Sequence, residues 1–134
     1  MIAVVAALAV RDGKLLIARR PDGRHMGGKW EFPGGKLEKG ELPEEALRRE
    51  LREELGVDSD VGRIVAAIPY SYPEKDVLLL FYAVRMRDEP RPIDEAELRW
   101  VDFEALEDYD FAPVDRLMTA RLKKADISDA NLYF

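Results

Sequence analysis

Residues Gly35 to Val57 read GKLEKGELPEEALRRELREELGV. The stretch leaves a glycine turn and enters a helix expected over Leu42–Leu55. Pro43 falls in the first turn, where a missing N–H is tolerated. Glu44 and Glu45 complement the dipole there, and Gly56 supplies a C-terminal stop. At about 100° per residue, Leu47, Leu51 and Leu55 form one apolar stripe, and Arg48, Arg52 and Glu45 fall on the far side. Glu50, Glu53 and Glu54 occupy the sector beside the stripe. Three like charges in one sector repel by a few tenths of a kcal/mol per pair. The arrangement therefore asks for compensation, and a hard divalent cation is the natural candidate. Glu44–Arg48, Glu45–Arg49 and Arg49–Glu53 pairs also fit a solvated, ion-paired helix, so the helix alone leaves both readings open.

The flanking chain supplies strands. Ile2–Val10 is a nearly unbroken apolar run, which predicts a strand buried on both faces. Asp12-Gly13 signals a tight turn into a returning strand, Lys14–Arg20. Pro21–Lys29 is a glycine-containing loop that carries His25, the only histidine, for which no catalytic role is assigned. Trp30-Glu31-Phe32 is a short strand ended by Pro33-Gly34-Gly35. Beyond the helix, Val61–Tyr70 and Asp76–Met86 form a second strand pair around the turn Ser71–Lys75, followed by a polar loop, Arg87–Ala96. Leu98–Val101 is a further strand, and Phe103–Leu106 one helical turn. Val114–Lys124 is a closing helix with Leu117, Met118 and Leu122 inward. Trp30, Phe32 and Trp100 are read as core. Residues 125–134 are expected to be a loose tail of a single domain spanning 1–134, and Asn131–Phe134 (NLYF) resembles part of a protease-cleavage tag.

The totals bound the function. With 134 residues the chain can bury one sizeable core, and 47% hydrophobic with 36% charged residues is ordinary for a soluble globular protein. It has no cysteine, which removes disulfides, thiolate metal sites and a cysteine nucleophile and suits a reducing, cytoplasmic setting. No leader is evident, and no apolar run approaches the roughly 20 residues of a membrane span. A net charge of −6 argues against a broad basic face or a stable nucleic-acid partner. It suits a protein that holds cations and reaches anionic substrates through them.

The opening stretch matches G-x5-E-x7-R-E-U-x-E-E-x-G-U, with U aliphatic, at Gly35, Glu41, Arg49, Glu50, Leu51, Glu53, Glu54, Gly56 and Val57. By background frequencies a chance match in such a chain is roughly 10⁻⁸. The pattern resembles the Nudix box. The segments IARRPDGRHMGGKWEFPGGKLEKGE and ELRWVDFEAL…FAPVDRLM resemble the MutT branch of the Nudix hydrolases, so the resemblance covers about residues 2–123. It implies an α/β (α+β) Nudix fold, a mixed sheet between helices with the box as loop–helix–loop. It also implies hydrolysis of a nucleoside diphosphate linked to a further group, dependent on Mg²⁺, for which Mn²⁺ can substitute.

By that resemblance the metal ligands are Glu50, Glu53, Glu54 and the Gly34 carbonyl, and Gly34-Gly35 lets backbone approach without a Cβ. Arg49 orients the carboxylates, and Glu41 stabilises the loop–helix turn behind them. The base that accepts the water's proton is either Glu53 or an acid on the loop before Trp100. The family places a glutamate six residues before that tryptophan. Here Asp94 holds that spacing, with Glu95 and Glu97 beside it, and Asp94 is taken first. In the nucleoside pocket, Asp115 matches the position that reads the base edge and Arg20 one that contacts nucleotide. Tyr72, Val77 and Phe111 are candidate apolar walls. Asp115 can equally cap the closing helix.

The expected activity is that of a MutT-like nucleoside triphosphate pyrophosphohydrolase acting on oxidised dGTP or on CTP-type nucleotides, as a monomer or homodimer. Alternatives are a pyrophosphatase for ADP-ribose or sugar nucleotides, dinucleotide polyphosphates or RNA 5′ ends, and a non-catalytic nucleotide-sensing module. The intact set of box glutamates and the lack of an added basic segment weigh against the last.

Overall fold

The computed structural model describes residues 1–128; Asn131–Phe134 lie outside them. Its seven described strands are β1 (Ile2–Arg11), β2 (Lys14–Arg19), β3 (Trp30–Glu31), β4 (Gly34–Lys36), β5 (Ser59–Tyr72), β6 (Lys75–Met86) and β7 (Glu97–Asp102); helix α1 (Pro43–Leu55) lies between β4 and β5, and α2 (Pro113–Arg121) and α3 (Lys124–Ser128) close the described chain. A 3-10 segment, Phe103–Asp108, follows β7. None of the described helices is long and apolar enough to cross a membrane.

The sheet runs β3-β2-β1-β6-β5, with β7 paired to β2 and β4 paired to β1. β1 and β6 are parallel from Ile2↔Val77 to Ala9↔Val84, and the other pairs are antiparallel. The apolar run of β1 is buried on both faces. Val5, Ala7 and Ala9 pack towards α1, while Ala6 and Leu8 join a second cluster with Phe81, Val114 and Met118. Such continuous hydrophobicity is what a central strand requires. Asp12 and Gly13 both take positive φ, 52° and 76°, as a two-residue turn that follows the strand twist demands.

α1 shows why its sequence folds as a helix. The residue that caps its start, Leu42, has no side-chain acceptor, and Glu45 Oε1 instead accepts the Leu42 N–H at 2.9 Å. Gly56 closes the other end in the left-handed region, φ 65°, donating to Arg52 O. Ala46, Leu47, Leu51 and Leu55 are fully buried against the sheet. Burying each leucine contributes about 1.5–3 kcal/mol, enough to hold the polar face in a fixed orientation.

Four expectations need correction. Gly34–Lys36 is a strand rather than only a turn: it lies along β1 through Val4↔Lys36, Val5↔Gly35 and Ala6↔Gly34. A Cβ at Gly34 would overlap the Val5 carbonyl, so the glycine permits this close pairing. The hairpin turn between β5 and β6 is narrower, because both strands extend to Tyr72 and Lys75. Leu117 faces solvent, 42% exposed. α2 starts at Pro113, and its inward stripe is Val114 and Met118, four residues apart, which turns Leu117 out. Finally, the tail does not begin loose at 125: α3 occupies Lys124–Ser128, and Ile127 is fully buried in the α2-side core.

Candidate active site

A cavity of about 470 Å³ opens where β1, β4, β6 and the start of α2 meet. Arg20, Gly34, Gly35, Glu50, Glu54, Tyr72, Val77 and Asp115 all line it. One space therefore joins the acidic helix face to the candidate base-reading residues.

The acidic face is organised by Arg49. Its Nε and Nη2 donate to the two Glu41 oxygens at 2.8 and 2.9 Å, and Nη2 also donates to Lys36 O at 3.0 Å. Its Nη1 reaches Glu50 at 2.9 Å and Glu53 at 3.2 Å. Glu41 in turn accepts the Glu38 N–H at 2.8 Å. The Arg49 bonds, with that amide, hold the Glu41 carboxyl down at about 2. A two-point guanidinium–carboxylate pair of this kind fixes geometry as well as charge. Glu50 fills the space beside Gly35, where any Cβ would overlap its carboxyl group. Glu53 is the outermost of the three, its side chain 60% exposed.

Glu54 points inward, and its Oε2 is buried without a hydrogen-bond partner. Burial, and then the charges of Glu95, Glu50 and Glu31, push its pKa up to about 9. Burial also raises Glu50, against the pull of Arg49. Among the described residues no three acidic side chains already converge as a metal cage. The donor set nevertheless fits a hard divalent cation. It is all oxygen, it includes an orphaned buried carboxyl oxygen, and it sits against a backbone kept bare by Gly35.

The loop acids separate clearly. Asp94, favoured by spacing, faces outward and pairs with Arg24 at 3.2 Å. Glu97 is taken by Arg19 and Arg99. Glu95 is the buried one, 9% exposed, and its Oε2 also lacks a partner. Burial first, and then the charge of Glu31, push Glu95 up to about 8. Sequence reasoning missed Glu31, which is itself raised by burial and receives Arg20 Nη1 at 3.0 Å. An acid set between two buried aromatics, Trp30 and Phe32, was the available signal. Arg20 is committed on a second side as well, donating from Nε to His25 O at 2.7 Å.

Asp115, expected to read the base edge, is buried in the first turn of α2 and accepts the Phe32 N–H through Oδ1 at 3.0 Å. Burial, and then Glu31, raise its pKa well above the ordinary aspartate value. Val77 and Tyr72 contribute wall, the Tyr72 ring meeting His25 edge-on at 5.6 Å. Phe111 does not reach the wall. It is buried one layer back, stacked on Phe32 at 5.5 Å, and Phe32 lines the cavity in its place.

With this geometry in hand, comparison with known proteins is specific. The NUDIX domain family model matches residues 1–122. The chain is 34% identical over 121 residues to an 8-oxo-dGTP diphosphatase of Escherichia coli (strain K12), covering 90% of this chain and 94% of that one. It is 55% identical over 67 residues, half of each chain, to the CTP pyrophosphohydrolase of the same organism. The solution structure of the E. coli ORF135 protein superimposes with a TM-score of 0.81 at 38% identity, covering 90% of this chain and 86% of that one. The chain belongs to the Nudix hydrolases, in their MutT-like branch.

Proposed function

We propose that the chain hydrolyses nucleoside triphosphates to nucleoside monophosphate and diphosphate, acting on oxidised dGTP or on CTP and dCTP. The observation that carries this reading is a single cavity lined both by Glu50 and Glu54 and by the buried Asp115. A nucleotide spanning it can present phosphates to the acidic helix while its base meets a carboxyl group.

Glu50, Glu53 and Glu54, with the Gly34 carbonyl, are the proposed ligands of Mg²⁺, for which Mn²⁺ can substitute. Bound there, the ion would withdraw charge from phosphate oxygens and acidify a water. Arg49 holds Glu50 and Glu53 in orientation, and Glu41 and Lys36 O hold Arg49. The water oxygen bonds to phosphorus as the bridging P–O bond breaks, and that electron pair leaves with the departing group. The water's proton passes to a carboxylate. Glu53 is one candidate acceptor; Glu95, buried where Asp94 is exposed, is the other, and because burial raises it to about 8 it would serve only once a cation bound beside it held it ionised.

Asp115 accepts the Phe32 N–H through Oδ1, and its carboxyl group lines the cavity where a base would lie. Its raised pKa favours the protonated form, which both donates and accepts. This matches the neighbouring amino and ring nitrogens of cytosine as well as an oxidised guanine edge. The reading implies a small-molecule nucleotide as partner, no stable nucleic-acid partner, and a monomer or homodimer working on the cytoplasmic pool.

A panel of CTP, dCTP, 8-oxo-dGTP, dGTP, ADP-ribose and diadenosine polyphosphates, with and without Mg²⁺, tests it by product identification. Monophosphate plus diphosphate from one of the first three is expected. Failure to cleave any triphosphate overturns it.

A further inference from the structure

The loop between β6 and β7 does more than connect two strands. A helix leaves its last carbonyls without intrahelical partners, and here a distant segment takes two of them. Glu54 O accepts the N–H groups of both Ile93, at 3.0 Å and shared with Arg91 O at 2.9 Å, and Asp94, at 3.2 Å, and Leu55 O accepts the Arg91 N–H at 2.9 Å. Gly56 makes room for this strap: a Cβ there would stand 2.6 Å from Arg91 Nη2 and 2.9 Å from Ile93 Cδ1. Two residues beyond the strap, the Ala96 N–H donates to Arg19 O at 2.9 Å. Glu95 is thus held between two backbone anchors, one on α1 and one on β2, and its carboxyl group is buried beside the Glu31 side chain, with Oε2 left unpaired. The same residue, Glu54, supplies the backbone anchor and the inward carboxyl group. Ile93 itself is 56% exposed, so its contribution is its amide more than its side chain.

We propose that Ile93 is a positioning residue for the hydrolysis: its amide, with that of Asp94, hangs the strap on Glu54 O and thereby sets where the Glu95 carboxyl stands relative to that of Glu54. The proposal rests on the functional reading above, in which Glu95 serves the reaction.

The test is a double-mutant cycle of Ile93→Pro, which removes the N–H donor, with Glu95→Gln, read as kcat and KM for the triphosphate cleaved best. Alone, Ile93→Pro should lower kcat by about 10- to 100-fold, the scale of a misplacement near 1 Å, with KM little changed. In the Glu95→Gln background it should lower kcat no more than about twofold, because the group it positions is gone. Equal losses in both backgrounds mean that the strap acts only through the fold, and overturn the proposal. An unchanged kcat in either single variant does the same. Should Ile93→Pro not fold, Gly56→Ala displaces the strap without removing a donor and is read by the same cycle. Amide exchange supplies a readout independent of turnover. In the metal-free wild-type protein the Ile93 and Asp94 amides should exchange about 100-fold or more below the open-chain rate, and exchange at the open-chain rate overturns the latch. Absence of any triphosphate hydrolysis by the wild-type protein is the failure of the functional reading and takes the proposal with it. Hydrolysis with additive losses is the failure of the proposal alone.

Discussion

Glu54 and Glu95, forty-one positions apart, each bury one carboxyl oxygen without a hydrogen-bond partner, and Glu95 stands behind burial alone among the influences that raise Glu54. Two such groups are costly unless protonated or joined by a cation. In the unfolded chain both ionise near 4.5; in the fold they keep their protons to about 9 and about 8. Between those values the folded state binds more protons than the unfolded one, so stability falls as pH rises. The contribution is fully present below pH 4.5 and is lost as pH climbs through 8 to 9. In chelator, the melting temperature should therefore drop from pH 6 to pH 9. Glu54→Gln should flatten that drop and stabilise the metal-free protein at pH 8 by about 1–3 kcal/mol, or roughly 3–10 °C. Thermal melts in EDTA that show wild type and variant falling in parallel would contradict the assignment.

Gly35→Ala should be damaging out of proportion to its size. The added methyl group overlaps the Glu50 carboxyl group, the far end of a side chain that can move. The expected result is a folded protein with kcat lowered about 10²-fold or more and weakened binding of Mg²⁺ and Mn²⁺. Glu53→Gln, at the exposed end of the same face, should leave the melt near wild type while lowering kcat by about 10²–10⁴-fold. Steady-state kinetics beside thermal melts check both, and an unchanged rate for Glu53→Gln would remove it from the metal site.

Arg49 is the common partner of Glu41, Glu50 and Glu53. Lysine keeps the charge but cannot make the two-point bond to Glu41 and also reach Glu50 and Glu53. Arg49→Lys should therefore lower kcat by about 10-fold or more and raise the concentration of Mg²⁺ needed for half-maximal rate. A metal titration that overlays wild type would show that charge alone suffices.

Asp115→Asn separates the tie to Phe32 from the proposed contact with the base. Asparagine retains an oxygen acceptor for the Phe32 N–H, so the fold should survive. What changes is the group offered to the base: an amide with fixed donors in place of a carboxyl that can carry or release a proton. The ratio of kcat/KM for CTP against 8-oxo-dGTP should shift by about 10-fold or more. Parallel assays on both nucleotides read it, and an unchanged ratio would leave Asp115 as a tie between α2 and Phe32 only.

The parts legible in the sequence are those carried by short-range periodicity or by strict spacing. The α1 stripe, the two-sided burial of β1 and the Asp12-Gly13 turn each follow from local patterns, and the box glutamates from one motif. What escaped depends on tertiary contacts. β4 has three residues, two of them glycine, and shows no alternation; it is a strand because β1 offers an open edge there. That Glu95 is the buried acid and Asp94 the exposed one is a matter of one position in a loop whose amides bond to Glu54 O. Phe111, expected as wall, is set a layer back by its stacking on Phe32.

α3 is the element local pattern undervalued most, and it supplies the sharpest stability test. Lys124–Ser128 reads KADIS, too short and polar to announce a helix. Yet Ile127 is fully buried in the cluster that contains Phe32, Phe111, Val114 and Met118. The Lys123 N–H donates to Asp126 Oδ2 at 3.2 Å and fastens the first turn. That cluster lies behind the cavity: Val114 and Phe32 belong to both. Ile127→Ala should cost about 2–5 kcal/mol, and Asp126→Ala, at an exposed bond, about 0.5–1 kcal/mol. Because Phe32 also donates its N–H to Asp115, Ile127→Ala should raise KM for nucleotide while leaving kcat close to wild type. Removal of everything after Lys123 should reproduce both effects. Urea melts with kinetics on the same samples decide the matter. A truncated protein as stable as the full chain would mean that the buried isoleucine contributes nothing to the core in which it sits.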